Sequence, residues 1–375
     1  MAAKSYDNSS ISSLKGADRV RKRPAVIFGS DGIEGCQHSM FEILSNSIDE
    51  AREGFGNVIY VTRYLDYSIE VEDFGRGIPV EYNEKEKKYN WELVFCELYA
   101  GGKYQNNAGG NYEFSLGLNG LGACATQYSS AYMDVEILRD GYKFNLHFEK
   151  GENVGGLEKT KFRPRHTGSR IRWKPDMSVF TDIRIPLEFY QSTLKRQAVV
   201  NSGLRFVLKN ETEPGVFEEF EYYYENGIVD YVKELCGGKE LTNVHFIETE
   251  RKGRDREDLE EYKVKMSFAF CFNNEINVLE YYHNSSYLEY GGAPDKAVRN
   301  AFVYAIDQYL KQNGKYNKNE GKIQFSDIED SLVLVSNSLS TMTSYENQTK
   351  KAITNKFVSQ AMTDFLKHYL EVYFL

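Results

Sequence analysis

The side chains best suited to chemistry stand in one row of a predicted helix between His38 and Glu50. At ~100° per residue, four polar side chains share an arc of roughly 80°: His38, Glu42, Asn46 and Asp49. The opposite face is apolar, with Met40, Leu44, Ile48 and Ala51, which predicts an amphipathic helix packed on a core. An asparagine carbonyl can bind Mg²⁺ while a nearby carboxylate polarises water. A solvent-facing polar stripe is the alternative.

A second candidate lies where a predicted hairpin ends. Two β-rich runs, 58–64 and 68–73, are joined by a short turn, and the second leads directly into Asp73-Phe-Gly-Arg-Gly-Ile-Pro79. Two glycines around an arginine, closed by proline, make a tight turn that lets a ligand approach the backbone. Asp73 at the strand end could accept a hydrogen bond from an exocyclic amine. An ordinary strand-end turn is the alternative.

A glycine-rich stretch from Gly101 to Gly122 is the third candidate. Its last part, Gly117-Leu-Asn-Gly-Leu-Gly122, is expected to open a helix through Thr126. Backbone N–H groups at such a helix start suit phosphates. The stretch contains neither a Walker A loop nor the G-x-G-x-x-G dinucleotide fingerprint. A lid or linker without a ligand remains the alternative.

Composition excludes several classes of protein. The chain has 375 residues, enough for two or three domains, and no apolar run approaches the ~20 residues of a membrane span. Five scattered cysteines form no C-x-x-C pair, which favours free thiols in a reducing cytosol, and we expect a soluble cytoplasmic protein without membrane contact. The net charge of −9 gives no general attraction to nucleic acid, so any contact with DNA would need local basic patches.

The elements around these motifs predict an α+β protein. Short helices are expected at 15–23, stopped by Pro24, and at 91–99. Hairpin strands at 133–138 and 142–148 and a strand at 167–173 complete a first domain with helices on one face of a mixed sheet. A helix at 187–200 and a strand at 203–209 follow, and the charged run 248–258 is predicted to be an exposed loop.

The C-terminal part predicts a second domain. Its elements are a strand at 263–271, a helix at 293–311, a strand at 331–336 and a long helix at 351–373. A strand–helix–strand unit of this size predicts a right-handed crossover with parallel pairing of the two strands. No histidine pair has metal-ligand spacing and no Ser/His/Asp or Cys/His set stands out, so the sequence does not support covalent catalysis.

These motifs, in this order, resemble the ATPase region of type IIA DNA topoisomerases, most closely the gyrase B and ParE subunits, within the GHKL ATPase superfamily. The matching stretches are Tyr6–Ile11, Leu14–Pro24, Phe41–Ala51, Asp73–Pro79, Ala100–Lys103, Gly117–Gly122, Thr167–Ser169 and Gln348–Lys350. The resemblance covers nearly the whole chain. It implies a dimerisation arm at 1–14, a GHKL (Bergerat) ATPase sandwich at 15–222 and a ribosomal-protein-S5-like transducer domain at 223–375.

The resemblance also implies a role for each matching residue. Glu42 would be the general base, His38 would position it, and Asn46 would be the metal ligand for Mg²⁺ beside ATP. Asp73 would accept a hydrogen bond from the adenine amino group, and Ser169 would contact the base through a water molecule. Lys350 and Gln348 would reach the γ-phosphate from the second domain. The remaining nucleotide-binding residues would be Tyr6, Glu50, Arg76, Gly77, Ile78, Pro79, Gly102, Lys103, Tyr112, Leu118, Asn119, Gly120, Leu121 and Gly122.

The partners implied are those of a DNA gate. ATP binding would form a homodimer, with Tyr6 and the arm over the partner's nucleotide, and the dimer would close around a DNA segment. Cutting that DNA would need a gyrase A or ParC-type cleavage subunit or a downstream cleavage domain, so we expect this region not to cut or pass DNA alone.

Three positions depart from the family pattern. Leu116 replaces a glycine, Asn119 replaces a histidine as in the eukaryotic enzymes, and the G-G-T-H signature stands as Gly291-Gly-Ala-Pro294. The set of Glu42, Asn46 and Asp73 is intact, so ATP hydrolysis is expected. Two alternatives stay open: a non-topoisomerase ATP-driven clamp of the same superfamily, and a paralogue that binds ATP without turnover.

Overall fold

The computed structural model describes residues 11–14, 16–99, 114, 116, 121–163, 165–345 and 351–374. The chain divides into two compact units. The first comprises the described parts of Met1–Tyr104, Gly117–Gln191 and Val207–Phe220, and the second those of Gln105–Leu116, Ser192–Phe206 and Glu221–Leu375.

The first unit is built on one large sheet. Its strands are β1 (Val58–Arg63), β2 (Ile69–Asp73), β5 (Ser130–Arg139), β6 (Tyr142–Glu149), β7 (Glu152–Lys161), β8 (Gly168–Pro175), β9 (Arg205–Glu213) and β10 (Val216–Tyr222). The eight strands follow the order β10-β9-β1-β2-β8-β5-β6-β7. The short strands β3 (Tyr82–Asn83) and β4 (Lys88–Tyr89) pair separately. The predicted hairpins β1–β2 and β5–β6 are both present and antiparallel. Strands β7 and β10 were not predicted from the sequence.

The helices of this part of the chain are α1 (Asp18–Arg21), α2 (Pro24–Phe28), α3 (Ile33–Arg52), α4 (Asn90–Cys96), α5 (Gly122–Tyr128) and α6 (Leu187–Val200). Pro24 was predicted to end a helix but instead begins α2. At the first position of a helix the backbone N–H makes no intrahelical hydrogen bond, so the absence of this group in proline costs nothing. The helix predicted to reach Tyr99 ends at Cys96 because Glu97 is extended, with φ −123° and ψ 126°. The bounds predicted for α6 are correct.

Helix α3 carries the predicted active row and spans 20 residues, more than the sequence motif indicated. Its apolar face is fully buried at Met40, Leu44 and Ile48, and the helix contacts β1, β2 and β8. Burying each such side chain contributes about 1.5–3 kcal/mol, so the core fixes the rotation of the helix about its axis. That rotation determines which way the polar stripe faces.

The second unit has a five-stranded sheet. Its strands are β11 (His245–Gly253), β12 (Tyr262–Phe272), β13 (Val278–His283), β14 (Ser286–Tyr287) and β16 (Leu332–Ser340), in the order β11-β12-β16-β13-β14. The run predicted as an exposed loop at 248–258 is a strand as far as Gly253, antiparallel to β12. As an edge strand, β11 presents alternate charged side chains to solvent, and that pattern resembles a loop in the sequence.

The predicted crossover joins different strands from those expected. β12 and β16 were predicted to be parallel, but they pair antiparallel. The parallel partner of β16 is β13, which was not predicted. Strand β13 leads through β14 and β15 (Gly291–Gly292) to α8 (Ala293–Gln312), so the strand–helix–strand unit exists with β13 as its first strand.

Helices cover both faces of this sheet. α8 and α10 (Lys356–Tyr373) pack on a face with Phe268, Phe270 and Leu334. α7 (Ile228–Cys236), which was not predicted, covers the other face at Ala269 and Val335. Successive strand residues point to opposite faces, so β12 and β16 are apolar on both sides. The last helix begins at Lys356 rather than Lys351 because β17 (Ala352–Ile353) pairs with β15. The remaining helix is α9 (Phe325–Glu329).

The cysteines and the lengths of the helices bear on two features expected from the sequence. All five cysteines are free thiols, as expected. Among the helices that the structure describes, none is both long and apolar enough to cross a membrane.

Candidate functional site

The polar stripe of α3 brings three of the predicted residues together. His38 Nε2 lies 2.8 Å from Glu42 Oε1, and both side chains are 22% exposed. Asn46 Nδ2 donates to the Glu42 backbone carbonyl at 3.3 Å, one turn back along the helix. This arrangement fits a base held by a histidine, beside an amide whose N–H is already engaged.

Asp49 was predicted to belong to the same stripe, but it does not offer a carboxylate to solvent. It is 3% exposed. Burial lowers the pKa of the neighbouring Arg52 guanidinium, and the Asp49 carboxylate opposes that shift. Asp49 therefore lies within the fold near Arg52, and Glu50 continues the stripe instead.

Asp73 ends β2 in a dense set of hydrogen bonds. Ser47 Oγ of α3 donates to its Oδ2 at 2.6 Å, while Oδ1 accepts from the backbone N–H groups of Gly75 at 3.0 Å and Ser169 at 3.3 Å. The carboxylate is only 8% exposed. It is thus oriented by one side chain and two backbone groups, as a recognition group needs to be.

Burial and hydrogen bonding act on Asp73 in opposite directions. Burial raises the pKa of the Asp73 carboxyl above its usual value. The hydrogen bonds from Ser47, Gly75 and Ser169 lower that pKa, and the charge of Glu50 raises it. The net pKa is raised, so the fold keeps an acceptor here at a cost in desolvation.

The turn after Asp73 is held by Glu50 of α3. Glu50 Oε1 accepts from Arg76 Nη2 at 2.7 Å, and Oε2 accepts from Arg76 Nε and from its backbone N–H, each at 3.1 Å. The guanidinium also lies 4.2 Å from the centre of the Phe55 ring. Arg76 is therefore fixed by a bidentate ion pair and a cation–π contact.

The rest of the turn is tied to β5 and β8. Arg139 Nη1 donates to the Gly77 carbonyl at 2.8 Å, and the Ile78 N–H donates to Ser169 Oγ at 3.0 Å. Ser169 therefore bonds to both Asp73 and Ile78, which places all three together. Pro79 is exposed and follows Ile78 along the chain.

Gly122, the first residue of α5, approaches the candidate base closely. A Cβ on Gly122 would lie 2.4 Å from Glu42 Oε2 and 3.0 Å from Glu42 Cβ. Leu121 caps this helix, and its carbonyl accepts the Ala125 N–H at 2.8 Å. The helix start predicted from the glycine-rich stretch is confirmed, and it adjoins Glu42.

Nine of the predicted site residues lie outside the described residues: Tyr6, Gly102, Lys103, Tyr112, Leu118, Asn119, Gly120, Gln348 and Lys350. Their roles stay predictions.

Two polar residues that hold the site were not predicted from the sequence. Ser47 donates to Asp73, and Thr167 Oγ1 donates to the Gly75 carbonyl at 2.6 Å. Ser47 lies one residue after Asn46 in the same motif. The signal available was its small polar side chain on the core side of α3, where apolar residues predominate.

The residues present fit a magnesium ion through asparagine rather than a carboxylate cage. Because the Asn46 N–H group bonds to Glu42, its carbonyl oxygen is the amide atom available to a cation. Among the described residues, no three His, Cys, Asp or Glu side chains are grouped so as to hold a metal. A single protein oxygen is typical of Mg²⁺ that also binds phosphates and water.

Comparisons with known proteins show what the chain is similar to. The family model described as DNA gyrase B matches residues 227–375. The gyrase B subunit of Mycoplasma genitalium is 32% identical over 99% of this chain, which spans 57% of that protein. The 43K ATPase domain of Thermus thermophilus gyrase B, solved with an aminocoumarin, has a TM-score of 0.72 at 25% identity and matches 95% of this chain and 89% of that one.

A second solved structure is similar. The ATP-binding domain of Francisella tularensis topoisomerase IV, in complex with a small-molecule inhibitor, has a TM-score of 0.71 at 26% identity. The match covers 96% of this chain and 91% of that domain.

The fold is that of a GHKL-type module with a transducer-type second unit, as in the two solved structures. Within that class, the predicted resemblance is confirmed: the chain is related to the ATPase regions of gyrase B and topoisomerase IV B-type subunits. It spans only about half to three-fifths of the length of its curated relatives, 57% for the first of them.

Proposed function

We propose that this chain is the ATP-binding and ATP-hydrolysing region of a type IIA topoisomerase B-type subunit. The observation that carries this proposal is the pair of groups on α3: Glu42 with His38 at one end, and Ser47 bonded to Asp73 at the other. One helix thus supplies a candidate base and orients a candidate purine acceptor. The named relatives support the same assignment.

Glu42 accepts the proton of the attacking water in this proposal, and His38 holds the carboxylate in place through the 2.8 Å contact. Asn46 would hold Mg²⁺ through its carbonyl oxygen, and that ion would neutralise phosphate charge. Asp73 accepts a hydrogen bond from the exocyclic amine of adenine. Ser169, bonded to Asp73 and Ile78, adds a water-mediated contact with the base.

The phosphates would lie against Gly102, Lys103 and the 118–122 stretch, with Tyr112 near the base. Gln348 and Lys350 would contact the γ-phosphate from the second domain. The proposed domain bounds are 1–14 for the arm, 15–222 for the ATPase domain and 223–375 for the transducer domain.

The proposed partners follow from the same assignment. ATP binding would dimerise the chain, with Tyr6 reaching the partner's nucleotide, and the dimer would capture DNA for a gyrase A or ParC-type cleavage subunit. A cytoplasmic location is part of the proposal, and it is supported by five cysteines that are all free thiols.

Replacing the base tests the proposal. Glu42→Ala should reduce the kcat for ATP hydrolysis by roughly 10²–10⁴-fold, because a positioned general base contributes about that much. Nucleotide affinity and ATP-dependent dimerisation should persist. Phosphate release and equilibrium binding of a non-hydrolysable ATP analogue measure the two effects separately.

Glu34→Ala is the matched control, since Glu34 is an exposed glutamate in the first turn of the same helix. It removes the same charge and should leave kcat unchanged. If the wild-type protein binds ATP without releasing phosphate, the chain is instead an ATP-binding module without turnover. Equal hydrolysis by Glu42→Ala and the wild type would remove Glu42 as the base.

A further inference from the structure

Two cysteines of the second unit lie side by side in its core. Cys236 is the last residue of α7 and Cys271 lies in β12, and their sulfur atoms are 3.2 Å apart. The two residues are 4% and 0% exposed. Both are free thiols, so one S–H group donates to the other sulfur. The fold thus holds two thiols in contact although 35 residues separate them in the sequence.

The distance between the sulfurs allows a disulfide to form with little movement. A disulfide bond is about 2.05 Å long, so the two sulfurs need to approach by only about 1 Å. Helix α7 contacts β12 directly, and a small shift of its last turn supplies that approach. The pair belongs to an apolar cluster with Ala269, Val333 and Val335. A disulfide carries no charge and no dissociable proton, so it is compatible with these surroundings.

The chain just after Cys236 gives an oxidant a route to the pair. Gly237 ends α7 in the left-handed conformation with φ 56°, and Gly238 has φ 80°. Both glycines and Lys239 are exposed, and the Lys239 N–H donates to the Cys236 carbonyl at 3.1 Å. Helix ends fray more readily than helix centres. Opening of this last turn therefore exposes Cys236 to solvent while Cys271 stays in the sheet.

The environment of Cys271 makes it the second thiol to react. Burial, followed by the neighbouring Cys236 sulfur, raises the pKa of the Cys271 thiol above its usual value, and the charge of Glu240 adds to that shift. The thiolate is the nucleophile in thiol chemistry, so a buried thiol that stays protonated does not attack an oxidant first. Cys236 is the thiol that meets the oxidant, and Cys271 lies ready to react with the product.

We propose that Cys236 and Cys271 are an oxidation site, at which hydrogen peroxide forms a disulfide that fastens α7 to β12. The Cys236 thiolate attacks one peroxide oxygen and becomes a sulfenic acid. The O–O bond breaks, and the other oxygen leaves as hydroxide, which takes up the proton that the thiol released. The Cys271 thiol then attacks the sulfenic sulfur, and the hydroxyl leaves as water with the second thiol proton. In total two thiols lose two electrons and two protons, and one peroxide becomes two water molecules.

The bond links a helix to a sheet and closes a loop of 35 residues. Closing a loop of this length restricts the unfolded chain and thereby stabilises the folded second unit. Small thiols reopen such a bond by exchange, so the stabilisation is reversible. Neither cysteine belongs to the candidate nucleotide site, and the oxidation therefore does not depend on the proposed function.

Peroxide treatment of the folded, reduced chain tests the proposal. After quenching, denaturation and alkylation, the oxidised wild type should carry two fewer alkyl groups than the reduced protein. Peptide mapping by mass spectrometry should find Cys236 joined to Cys271. Dithiothreitol should restore both thiols, which separates this bond from methionine oxidation, since that reagent leaves methionine sulfoxide in place.

Cys236→Ala and Cys36→Ala form a matched pair, because each replaces one buried thiol with the same small apolar side chain. Cys36 lies in α3 of the first unit, so Cys36→Ala should form the bond as the wild type does. Cys236→Ala should form none. Calorimetry should show the melting temperature of the second unit rising by roughly 5–10 °C on oxidation in the wild type and in Cys36→Ala. The rise should be absent from Cys236→Ala and reversed by dithiothreitol.

Circular dichroism shows whether each protein is folded during the peroxide treatment. If Cys236→Ala is not folded, the peptide map of the wild type decides, because it needs no variant. A bond between Cys236 and Cys271 in the folded wild type, with the rise in melting temperature, supports the proposal. Thiols that stay reduced, thiols that go on to sulfinic acid, a bond that forms only in urea-unfolded chain, or a bond without that rise would overturn it.

Discussion

The two units each contain a buried polar cluster, and the clusters differ in charge. In the first unit Asp73 accepts hydrogen bonds from Ser47, Gly75 and Ser169, and burial raises the pKa of its carboxyl. In the second unit His283 bonds to two hydroxyls, and burial lowers the pKa of its imidazole to about 3. At neutral pH the histidine is therefore uncharged, whereas the aspartate is surrounded by donors that favour its ionised form.

The difference in charge means that the two clusters affect stability differently at neutral pH. Because the folded pKa of Asp73 is raised, the contribution of this group to stability is present below its unfolded pKa and lost as pH rises through the folded value. At neutral pH the buried carboxylate thus lowers stability, a cost consistent with the proposed role of Asp73 in binding a ligand. The neutral cluster around His283 avoids that cost, as expected where the task is to hold the chain in place.

The largest effect is expected from a substitution that displaces the backbone of Asp73. Gly168 has φ 155°, and a Cβ there would lie 2.1 Å from the Asp73 carbonyl oxygen. Gly168→Ala should therefore lower the free energy of unfolding by roughly 3 kcal/mol or more, because strain and backbone displacement add. Urea unfolding measures it. Gly155→Ala is the control, because Gly155 has a positive φ of 86° but its added Cβ would have no atom within 4 Å. The loss of stability in this variant therefore reports conformational strain without a clash.

A smaller effect comes from removing the charge alone. Asp73→Asn should weaken nucleotide binding by about 1–3 kcal/mol. The amide nitrogen that replaces one carboxylate oxygen is a donor and cannot accept a hydrogen bond from the adenine amine. Stability without nucleotide should not fall, since the amide oxygen still accepts from the backbone and the buried charge is gone. Calorimetry and thermal melts test the two statements. A variant that loses stability but keeps affinity would show that the carboxylate is structural.

Ser47 provides a finer test of how the carboxylate is tuned. Ser47→Ala removes the 2.6 Å hydrogen bond to Asp73 and should cost about 0.5–1.5 kcal/mol of nucleotide affinity, less than Asp73→Asn. The pKa of Asp73 should rise further, so binding should be lost at a higher pH on acidification than in the wild type. Affinity measured between pH 7 and 5 checks the shift, and identical pH curves would contradict it.

The smallest effect at neutral pH concerns His283. Its folded pKa of about 3 lies below the usual 6.5, so the unfolded chain takes up a proton first as pH falls. The stability of the second unit should be complete above pH 6.5 and should decline progressively from 6.5 towards 3. Urea unfolding at several pH values would show it. In His283→Gln the decline should be shallower, and equal slopes would refute the contribution of this histidine.

Periodic elements were predictable from the sequence, and pairing partners were not. Helix α3 and the β1–β2 hairpin follow from residues that lie close together in the chain. Strand β13 is short and ends in a turn without glycine, so it left no clear signal. Missing it led to the wrong parallel pair, because β16 then had only β12 as a partner. The charged alternation of β11 hid an edge strand in the same way.

The candidate site was predicted where its chemistry is local to one motif. The contact of His38 with Glu42 follows from i, i+4 spacing on one helix, and Asp73 from its place at a strand end. The bond between Ser47 and Asp73 joins residues 26 apart in sequence and depends on how α3 packs on β2. The burial of Asp49 depends on the same packing, and spacing alone placed it wrongly.

Gly122 offers a marker for comparing relatives of this chain. Its missing side chain leaves room for the Glu42 carboxylate, and a methyl group there would displace that flexible side chain rather than the backbone. Folding would tolerate the exchange, while the carboxylate would lose its alignment. A natural homologue with the glutamate but a bulkier amino acid at the equivalent of position 122 is thus expected to bind nucleotide without hydrolysing it. Its sequence alone would identify such a protein.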